Sequence, residues 1–281
     1  EFENIPSTSL DILLEFVPIF PPVRALTISQ DRLTEKTFLR SLGLRTVKWQ
    51  PLSSDINYKE SVAKISMPAI LKTCRNGYDG KGQLLITKTT SDEQISKFLS
   101  QGRCILEEFC QFRKEISVIV ARSQNGEVMC FDPGENVHVN GILKSTTVPA
   151  KVSKAISFDA AVMAGKIVNS LDYVGVMGVE FFLNSSNQLL INEIAPRVHN
   201  SGHWTQDGCA IDQFEQHIRA ITGCEIGNGD RHANVKMVNL LGNDVEKALE
   251  IANASVHLYG KKKVVPGRKM GHVNYVSRKT S

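Results

Sequence analysis

Apolar and polar positions along the chain follow two periods, one typical of helices and one typical of strands. Residues 31–42 carry apolar side chains at positions 33, 38, 39 and 42, and Gly43 follows, which predicts an amphipathic helix with a glycine cap. Because such helices alternate with short strands, the pattern predicts an α+β fold. Further helices are predicted at residues 9–17, 57–66, 92–99, 153–171, 209–222 and 244–252.

Short runs rich in Val, Ile, Leu and Phe predict the strands. A glycine-rich loop occupies residues 74–83, and residues 114–131 predict a hairpin that turns at residues 124–126. Residues 135–149 are interpreted as a polar excursion, and residues 1–6 as the end of a strand. The remaining strands are predicted at residues 47–52, 69–73, 84–87, 104–109, 175–183, 188–195, 235–241, 255–259 and 272–276.

The composition is that of an ordinary globular protein. Of the 281 residues, 42% are apolar and 22% are charged, which suffices for a large core. The net charge of +4 suits small anionic ligands at least as well as nucleic acid. Six cysteines without a CxxC pair predict reduced thiols in a cytoplasmic protein, and no apolar run reaches the roughly 18 residues of a membrane span.

The loop between the strands at 69–73 and 84–87 holds glycines at positions 77, 80 and 82. Glycines allow backbone N–H groups to turn toward an anion, and Lys72 at the end of the first strand can reach a phosphate as a point charge. A strand rather than a helix follows the loop, so it is neither a Walker motif nor a dinucleotide fingerprint. The pattern favours a flexible flap over phosphates, and a plain β-hairpin with a glycine turn is the alternative.

Two glutamates lie in the apolar hairpin at residues 175–195. Buried carboxylates are costly unless they are paired or bind a metal. A turn of two or four residues at 184–187 pairs odd with even positions, which predicts that Glu180 and Glu193 lie on the same face of the sheet. With Asn192 beside them, these oxygen ligands favour magnesium or manganese over zinc. The alternative is a pair of solvent-facing glutamates.

The order of these features resembles the ATP-grasp family. Lys72 precedes the glycine-rich flap, a Glu-Glu-Phe segment ends the strand at 104–109, and Glu180 and the Asn192-Glu193 pair follow. Within that family, the chain is similar to the ATPase subunits of carboxyaminoimidazole ribonucleotide synthetases. The similarity covers nearly the whole chain. It is most specific in residues 30–44, 77–83, 135–143, 171–182, 192–205, 213–223 and 259–274.

The resemblance implies four parts in an ATP-grasp fold with a small lid, a larger mixed or antiparallel sheet and a β-rich end. Residues 1–44 would hold the remnant of an N-terminal domain and linker helices, and residues 45–109 the lid. Residues 110–224 would form the central metal-binding part, and residues 225–281 the C-terminal part. Relatives carry a further N-terminal domain, of which only the last strand is expected here.

The resemblance also implies the residues of an ATP site. Glu180 and Glu193 would hold magnesium, with Asn192 in support. Glu115 would take the ribose hydroxyls. The phosphate ligands would be Arg32 and Lys72, the flap Gly77, Tyr78, Asp79, Gly80, Lys81, Gly82 and Gln83, and the hinge beside adenine Glu107, Glu108, Phe109 and Cys110; His138, Asn192 and Glu193 are further candidates for contact with ATP.

A second substrate follows from the same resemblance. Arg197 and Lys72 would act in catalysis, and Arg197, His199 and Asn200 would border the carboxylated intermediate and a ribonucleotide. Lys261 and Arg268 would bind the ribonucleotide phosphate. Simpler interpretations stay open, because Arg32 could pair with Glu35 on its own helix and Lys261 could belong to a solvated turn.

The implied reaction is the carboxylation of aminoimidazole ribonucleotide with ATP and bicarbonate, through carboxyphosphate, in de novo purine biosynthesis. It implies ATP and Mg²⁺ or Mn²⁺, a homodimer, and functional coupling to the mutase of the next step. Nucleic-acid and membrane partners are not expected. The alternatives are another ATP-grasp carboxylate-amine ligase, or a catalytically impaired nucleotide-binding remnant.

Overall fold

A computed structural model of the protein describes residues 3–53, 58–77 and 80–279. The helices in these ranges are α1 (Ser7–Leu14), α2 (Val23–Ser29), α3 (Arg32–Ser41), α4 (Tyr58–Ile65), α5 (Asp92–Leu99), α6 (Lys154–Ser170), α7 (Thr205–Gly208) and α8 (Gln213–Thr222). None of the helices in these ranges is long and apolar enough to cross a membrane.

The strands in the same ranges pair antiparallel into two sheets. The small sheet has the order β1-β4-β2-β3, and the large sheet has the order β10-β9-β5-β7-β8-β11-β13-β12, with β6 paired to β5. The strands are β1 (Trp49–Leu52), β2 (Ala69–Thr73), β3 (Gln83–Ile86), β4 (Cys104–Glu108), β5 (Phe112–Arg122), β6 (Val128–Cys130), β7 (Gly134–Val139), β8 (Ile142–Val148), β9 (Gly175–Asn184), β10 (Leu189–Ala195), β11 (Ala233–Leu241), β12 (Ser255–Leu258) and β13 (Lys269–Arg278).

The long strands β5 and β9 are buried on both faces of the large sheet. On β5, Val118 packs into one hydrophobic cluster and its neighbour Ile119 into a second one. On β9, Val179 belongs to the first cluster and Val176 to the second. Because side chains alternate along a strand, Glu180 lies on the same face of β9 as Val176.

Helix α3 contacts both sheets. Asp31 caps its start by accepting hydrogen bonds from the N–H groups of Leu33 and Thr34. Phe38 and Leu39 bury one side of the helix in the first hydrophobic cluster. The charged residues Arg32, Glu35 and Lys36 are spaced three and four positions apart, so they share another side of the helix, which faces β10.

The segment 135–149 was predicted wrongly as a polar excursion, because it forms most of β7 and β8. The alternation is hidden because the buried positions 136 and 146 are polar, whereas the apolar Val137 and Val139 are about half exposed. Asn136 is buried and its side chain accepts a hydrogen bond from the Thr146 hydroxyl at 2.9 Å. A hydrogen-bonded polar pair thus lies where the pattern required an apolar pair.

Three other predicted elements need correction. Residues 3–5 form a turn and not the end of a strand, and the structure adds α2, which was not predicted. The helix predicted at 209–222 begins only at Gln213, because Asp212 accepts the N–H groups of Phe214 and Glu215 and so starts a new helix. The helix predicted at 244–252 is a 3₁₀ helix over Gly242–Glu250. The division into four parts stays a prediction.

Candidate active site

Glu180 and Glu193 lie opposite each other on β9 and β10. The parity predicted from the turn was wrong, because near the turn Leu183 pairs with Leu189 and odd positions face odd ones. A β-bulge at Asn192 then inserts one extra residue, which shifts the register and brings Glu193 opposite Glu180. The bulge, and not the turn, therefore creates the pair of carboxylates.

The environment of this pair suits a cation with oxygen ligands. Burial, and then the neighbouring Glu193, raises the pKa of Glu180 to about 7, although Asn192 donates a hydrogen bond to it. In the described ranges no group of three or more His, Cys, Asp or Glu side chains forms a complete metal cage. Magnesium is usually held by one or two carboxylates together with substrate phosphates, so this donor set fits it.

Arg32 connects the carboxylates to the glycine-rich loop. Its guanidinium lies 3.5 Å from the Glu193 Oε2 atom and 3.4 Å from the carbonyl oxygen of Gly77. Burial opposes the charged form, but Glu193 and then Glu35 hold the pKa of Arg32 above its usual value. The contact made by Arg32 is therefore to Glu193 on another element, and not the pairing with Glu35 that the sequence also allowed.

The glycine-rich loop joins β2 to β3, and Lys72 faces Gln83 across the two strands. Gly82 has a φ of +70°, and a Cβ atom there would lie 2.6 Å from the Thr73 hydroxyl oxygen. A Cβ atom on Gly80 would lie 3.1 Å from the Asn140 carbonyl oxygen, so the loop approaches the turn between β7 and β8. Tyr78 and Asp79 lie outside the described residues, and Lys81 and Gln83 are exposed.

Lys72 forms an ion pair with Glu107, a residue of the predicted hinge. The Lys72 Nζ atom lies 2.5 Å from Glu107 Oε2, and the Nζ atom of the buried Lys36 lies 3.5 Å from Glu107 Oε1. Burial alone would raise the pKa of Glu107, but the two ammonium groups outweigh it and lower the pKa to about 2. Glu107 is thus a buried anion between two cations, and its carboxylate contacts Lys36 of α3 and Lys72 at the end of β2.

The other predicted hinge residues lie where the chain passes from the small sheet to the large one. Glu108 ends β4, and Phe109 and Cys110 precede β5. The N–H of Glu108 donates to the Lys48 carbonyl oxygen, and the N–H of Phe109 donates to that of Pro68. Phe109 is 39% exposed, which leaves an apolar surface at the junction.

Glu115 and His138 form a second acid-base pair beside the carboxylates. The His138 Nδ1 atom lies 2.6 Å from Glu115 Oε2. Burial opposes protonation of His138, but the hydrogen bond to Glu115 and the charge of Glu180 raise its pKa. The two residues come from neighbouring strands, β5 and β7, so the sheet brings together two positions that the sequence separates.

The loop that follows β10 places His199 next to the carboxylates. Its Nε2 atom lies 3.6 Å from Glu180 Oε1, and its Nδ1 atom accepts the N–H of Ser201 at 3.3 Å. Burial, and then Arg197, lowers the pKa of His199 to about 3, so the ring is neutral with its proton on Nε2 facing Glu180. Gly178 makes room for this ring, because a Cβ atom there would lie 2.7 Å from the His199 Cβ.

Arg197 and Asn200 make contacts with distant segments. The Arg197 Nε atom lies 2.9 Å from Glu3 Oε1, so this side chain points toward the start of the described chain. The side-chain amides of Asn200 and Asn239 exchange two hydrogen bonds, of 2.7 and 3.0 Å. Asn239 lies on β11 and is fully buried, so these bonds fix the loop after β10 to the large sheet.

Gln213 holds this loop in place and was missed from the sequence. Its side chain is fully buried, accepts the N–H of His199 at 2.9 Å and donates to the carbonyl oxygen of the same residue at 2.8 Å. It also lies 2.8 Å from the His203 Nδ1 atom. Its position directly after the cap of α8 was the available signal, but a glutamine there is normally exposed.

The two basic residues predicted for the ribonucleotide phosphate lie in the C-terminal part. The Lys261 Nζ atom donates to the Lys269 carbonyl oxygen at 2.6 Å and lies 5.3 Å from the centre of the Tyr259 ring. Arg268 is exposed. Lys269, which was not predicted, is close enough to lower the pKa of His199, so it links this basic segment to the loop after β10.

Three histidine rings pack against one another between that loop and the C-terminal strands. The ring centroids of His203 and His272 are 5.0 Å apart, and those of His257 and His272 are 4.5 Å apart. Tyr259 Oη lies 2.8 Å from His272 Nδ1, and Asp207 Oδ2 lies 2.8 Å from His257 Nε2. Burial, and then His257, lowers the pKa of His272 to about 4.

This cluster predicts a loss of stability in mild acid. The unfolded chain takes up a proton on His272 near pH 6.5, whereas the folded protein does so only near pH 4, so the free energy of unfolding falls as the pH is lowered between these values. The shift corresponds to about 3 kcal/mol at most. His272→Asn should reduce this pH dependence in urea unfolding, whereas replacement of the exposed His232 by Asn should not. Equal pH dependence in all three proteins would contradict the prediction.

Comparisons with known proteins identify similar domains and sequences. Residues 37–214 match the ATP-grasp domain family, and residues 236–281 match the phosphoribosylaminoimidazole carboxylase C-terminal domain. The chain is 46% identical over 285 residues to N5-carboxyaminoimidazole ribonucleotide synthase of Brucella melitensis, which covers 100% of this chain and 79% of that protein. It is 43% identical to the protein of the same name from Bacillus subtilis, over 99% of this chain and 74% of the relative.

The fold is also similar to solved structures. One is the crystal structure of N5-carboxyaminoimidazole synthase from Aspergillus clavatus in complex with ADP and 5-aminoimidazole ribonucleotide. It superposes with a TM-score of 0.92 at 30% identity, over 99% of this chain and 76% of the other.

Proposed function

This chain belongs to the ATP-grasp family, in its group of N5-carboxyaminoimidazole ribonucleotide synthases, and on this premise we propose its reaction and the roles of its residues. The chain is an ATP-dependent carbon–nitrogen ligase of purine biosynthesis. It carboxylates aminoimidazole ribonucleotide on nitrogen and converts ATP to ADP and phosphate. The proposed carbon donor is bicarbonate, and the proposed setting is the cytoplasm.

The observation that best supports this proposal is the position of Arg32. Its guanidinium contacts both Gly77 of the glycine-rich loop and Glu193 of the carboxylate pair. A nucleotide whose phosphates lie under that loop would therefore have its terminal phosphate next to the carboxylates. Phosphoryl transfer depends mainly on such positioning and on neutralisation of charge.

In the first step a bicarbonate oxygen attacks the γ-phosphorus of ATP. A new P–O bond forms, the bond to the β-phosphate oxygen breaks, and ADP leaves with that electron pair, which yields carboxyphosphate. Arg32 and Lys72 are the cations proposed to bind the phosphates. Glu107 holds the ammonium of Lys72 in a buried position, so the lysine is oriented before the nucleotide arrives.

Glu180 and Glu193 are the proposed ligands of magnesium or manganese, with Asn192 in support. The metal when bound neutralises charge on the transferring phosphoryl group. Without a bound cation, two adjacent buried carboxylates cost free energy when both are charged, and the raised pKa of Glu180 agrees with this. Glu115 and His138 are proposed to contact the nucleotide, at the edge of the same site.

In the second step the C–O bond between the carboxyl carbon and the phosphate oxygen of carboxyphosphate breaks, which leaves carbon dioxide and inorganic phosphate in the closed site. The exocyclic amine of the ribonucleotide then attacks the carbon of carbon dioxide. A C–N bond forms, an electron pair of one C=O bond moves to oxygen, and the amine loses a proton. Arg197, His199 and Asn200 are proposed to border these reactants. His199 is neutral, so its Nε2–H can donate a hydrogen bond without adding charge. Lys261 and Arg268 are proposed for the ribonucleotide phosphate.

The proposal is tested by measuring ADP formation with each reactant omitted in turn. We expect turnover only when ATP, bicarbonate and aminoimidazole ribonucleotide are all present, with one ADP per carboxylated product. ADP formation with a different amine acceptor, and none with the ribonucleotide, would support another carboxylate-amine ligase. Nucleotide binding without turnover under any condition would support an impaired remnant. A homodimer and coupling to the following mutase stay predictions.

A further inference from the structure

Strand β10 is one of the outer strands of the large sheet, and the bulge at Asn192 lies on it. An outer strand has backbone N–H and carbonyl groups on its free edge, and a bulge also interrupts the hydrogen bonds to the neighbouring strand. Such groups cost free energy when they are buried without partners. The partners of these groups therefore determine the conformation of the bulge.

Two neighbouring side chains of α3 supply the partners on either side of Glu193, and the Ile191 N–H before the bulge donates to the Arg45 carbonyl oxygen. The Lys36 Nζ atom donates to the Asn192 carbonyl oxygen at 2.6 Å and lies 3.4 Å from that of Ile191. The Glu35 Oε1 atom accepts the N–H of Ile194 at 2.6 Å. Both α3 side chains are almost fully buried, with 1% and 2% relative exposure. Burying a lysine and a glutamate costs free energy unless both are paired or hydrogen-bonded, as they are at these positions.

These two contacts act on the two peptide groups that flank Glu193. The carbonyl of Asn192 belongs to the peptide group before Glu193, and the N–H of Ile194 belongs to the one after it. When both peptide groups are held, the backbone angles of Glu193 are fixed, and so is the direction of its Cα–Cβ bond. Arg32, one turn earlier on the same helix, then contacts the carboxylate itself at 3.5 Å.

We propose that Glu35 and Lys36 are positioning residues for Glu193: they hold its two peptide groups and thereby aim its carboxylate at Glu180. This inference rests on the proposed function, in which the two carboxylates bind a divalent cation. In this proposal neither side chain touches the substrate, and both act through the backbone of Glu193. Lys36 also lies 3.5 Å from Glu107, so the same ammonium joins the bulge to the buried pair that holds Lys72.

The test is Mn²⁺ binding by the full chain in the presence of ADP, with free Mn²⁺ measured by electron paramagnetic resonance. Glu35→Leu removes the acceptor for the Ile194 N–H, whereas Glu35→Gln keeps an oxygen in the same place. We expect Glu35→Leu and Lys36→Met to weaken Mn²⁺ binding by about 10-fold or more, the usual cost of losing the partner that orients a ligand. Glu35→Gln should stay within about 3-fold of the wild type, since it can restore the hydrogen bond.

Two comparisons separate the possible outcomes. Glu193→Gln removes the proposed ligand directly and is the reference for lost binding. If it weakens Mn²⁺ binding while Glu35→Leu and Lys36→Met do not, the positioning role is wrong and the metal site stands. If Glu193→Gln binds Mn²⁺ like the wild type, the metal assignment is wrong and the positioning role fails with it. Equal weakening by Glu35→Gln and Glu35→Leu would also overturn the proposal, because the effect would not depend on the hydrogen bond.

Discussion

Replacement of Glu193 by Gln is expected to lower turnover by at least about 100-fold while nucleotide binding stays measurable. The amide has nearly the same shape as the carboxylate, so the bulge and its contacts with α3 can persist. What is lost is one of the two negative charges that face each other on β9 and β10. The metal would then be held less tightly, and the transferring phosphoryl group would lose charge neutralisation.

The measurement is kcat for ADP formation with all three reactants present, together with the dissociation constant for ADP. Glu127→Gln is the matched control, because Glu127 is exposed in the turn before β6, and it should behave like the wild type. Turnover of Glu193→Gln similar to that of the control would refute the metal assignment. A complete loss of ADP binding would instead show that Glu193 is needed to form the nucleotide pocket.

Replacement of Glu107 by Gln is expected to destabilise the protein by about 3 to 5 kcal/mol, the usual effect of removing one partner from a buried ion pair. The ammonium groups of Lys36 and Lys72 lie 3.5 and 2.5 Å from the carboxylate, and two of the three side chains are almost fully buried. Without the anion, both cations lose a buried partner. Strand β4 would also lose its charge contact with α3.

This effect is measured as the free energy of unfolding in urea at neutral pH. Glu108→Gln, at the next position and less buried, is the control and should change the free energy little. The pH dependence gives a second test. The pKa of Glu107 is depressed to about 2, so its contribution is present above the usual glutamate pKa and is lost as the pH falls toward 2. If Glu107→Gln is as stable as its control, the ion pair contributes nothing.

Much of the candidate site could be predicted from the sequence because its signals are local. Two glycines of the glycine-rich loop are needed at their positions, since Gly80 and Gly82 have positive φ angles and little room for a Cβ atom. Lys72 at the end of a strand and the two glutamates in an apolar hairpin were identified by residue type and spacing alone. The identity of the second substrate came from resemblance, because no spacing rule specifies a ribonucleotide.

The pairing of Glu180 with Glu193 shows how a correct prediction can rest on a wrong register. The turn was predicted with the wrong parity, and the bulge at Asn192 shifted the strand by one residue and restored the pair. A local sequence pattern does not predict this bulge, because Glu35 and Lys36, which stabilise it, lie more than 150 positions away in the sequence. The register therefore depends on tertiary contacts with α3.

The sequence by itself determined the fold class, the glycine-rich loop and the acidic hairpin, since backbone preferences and hydrophobic periodicity act over a few residues. Only the tertiary structure decided which charges are buried together. It placed Glu107 between Lys36 and Lys72, and it seated the neutral ring of His199 against Glu180. The physical reason is that the free energy of a buried charge depends on its partners in space, and those partners come from distant parts of the chain.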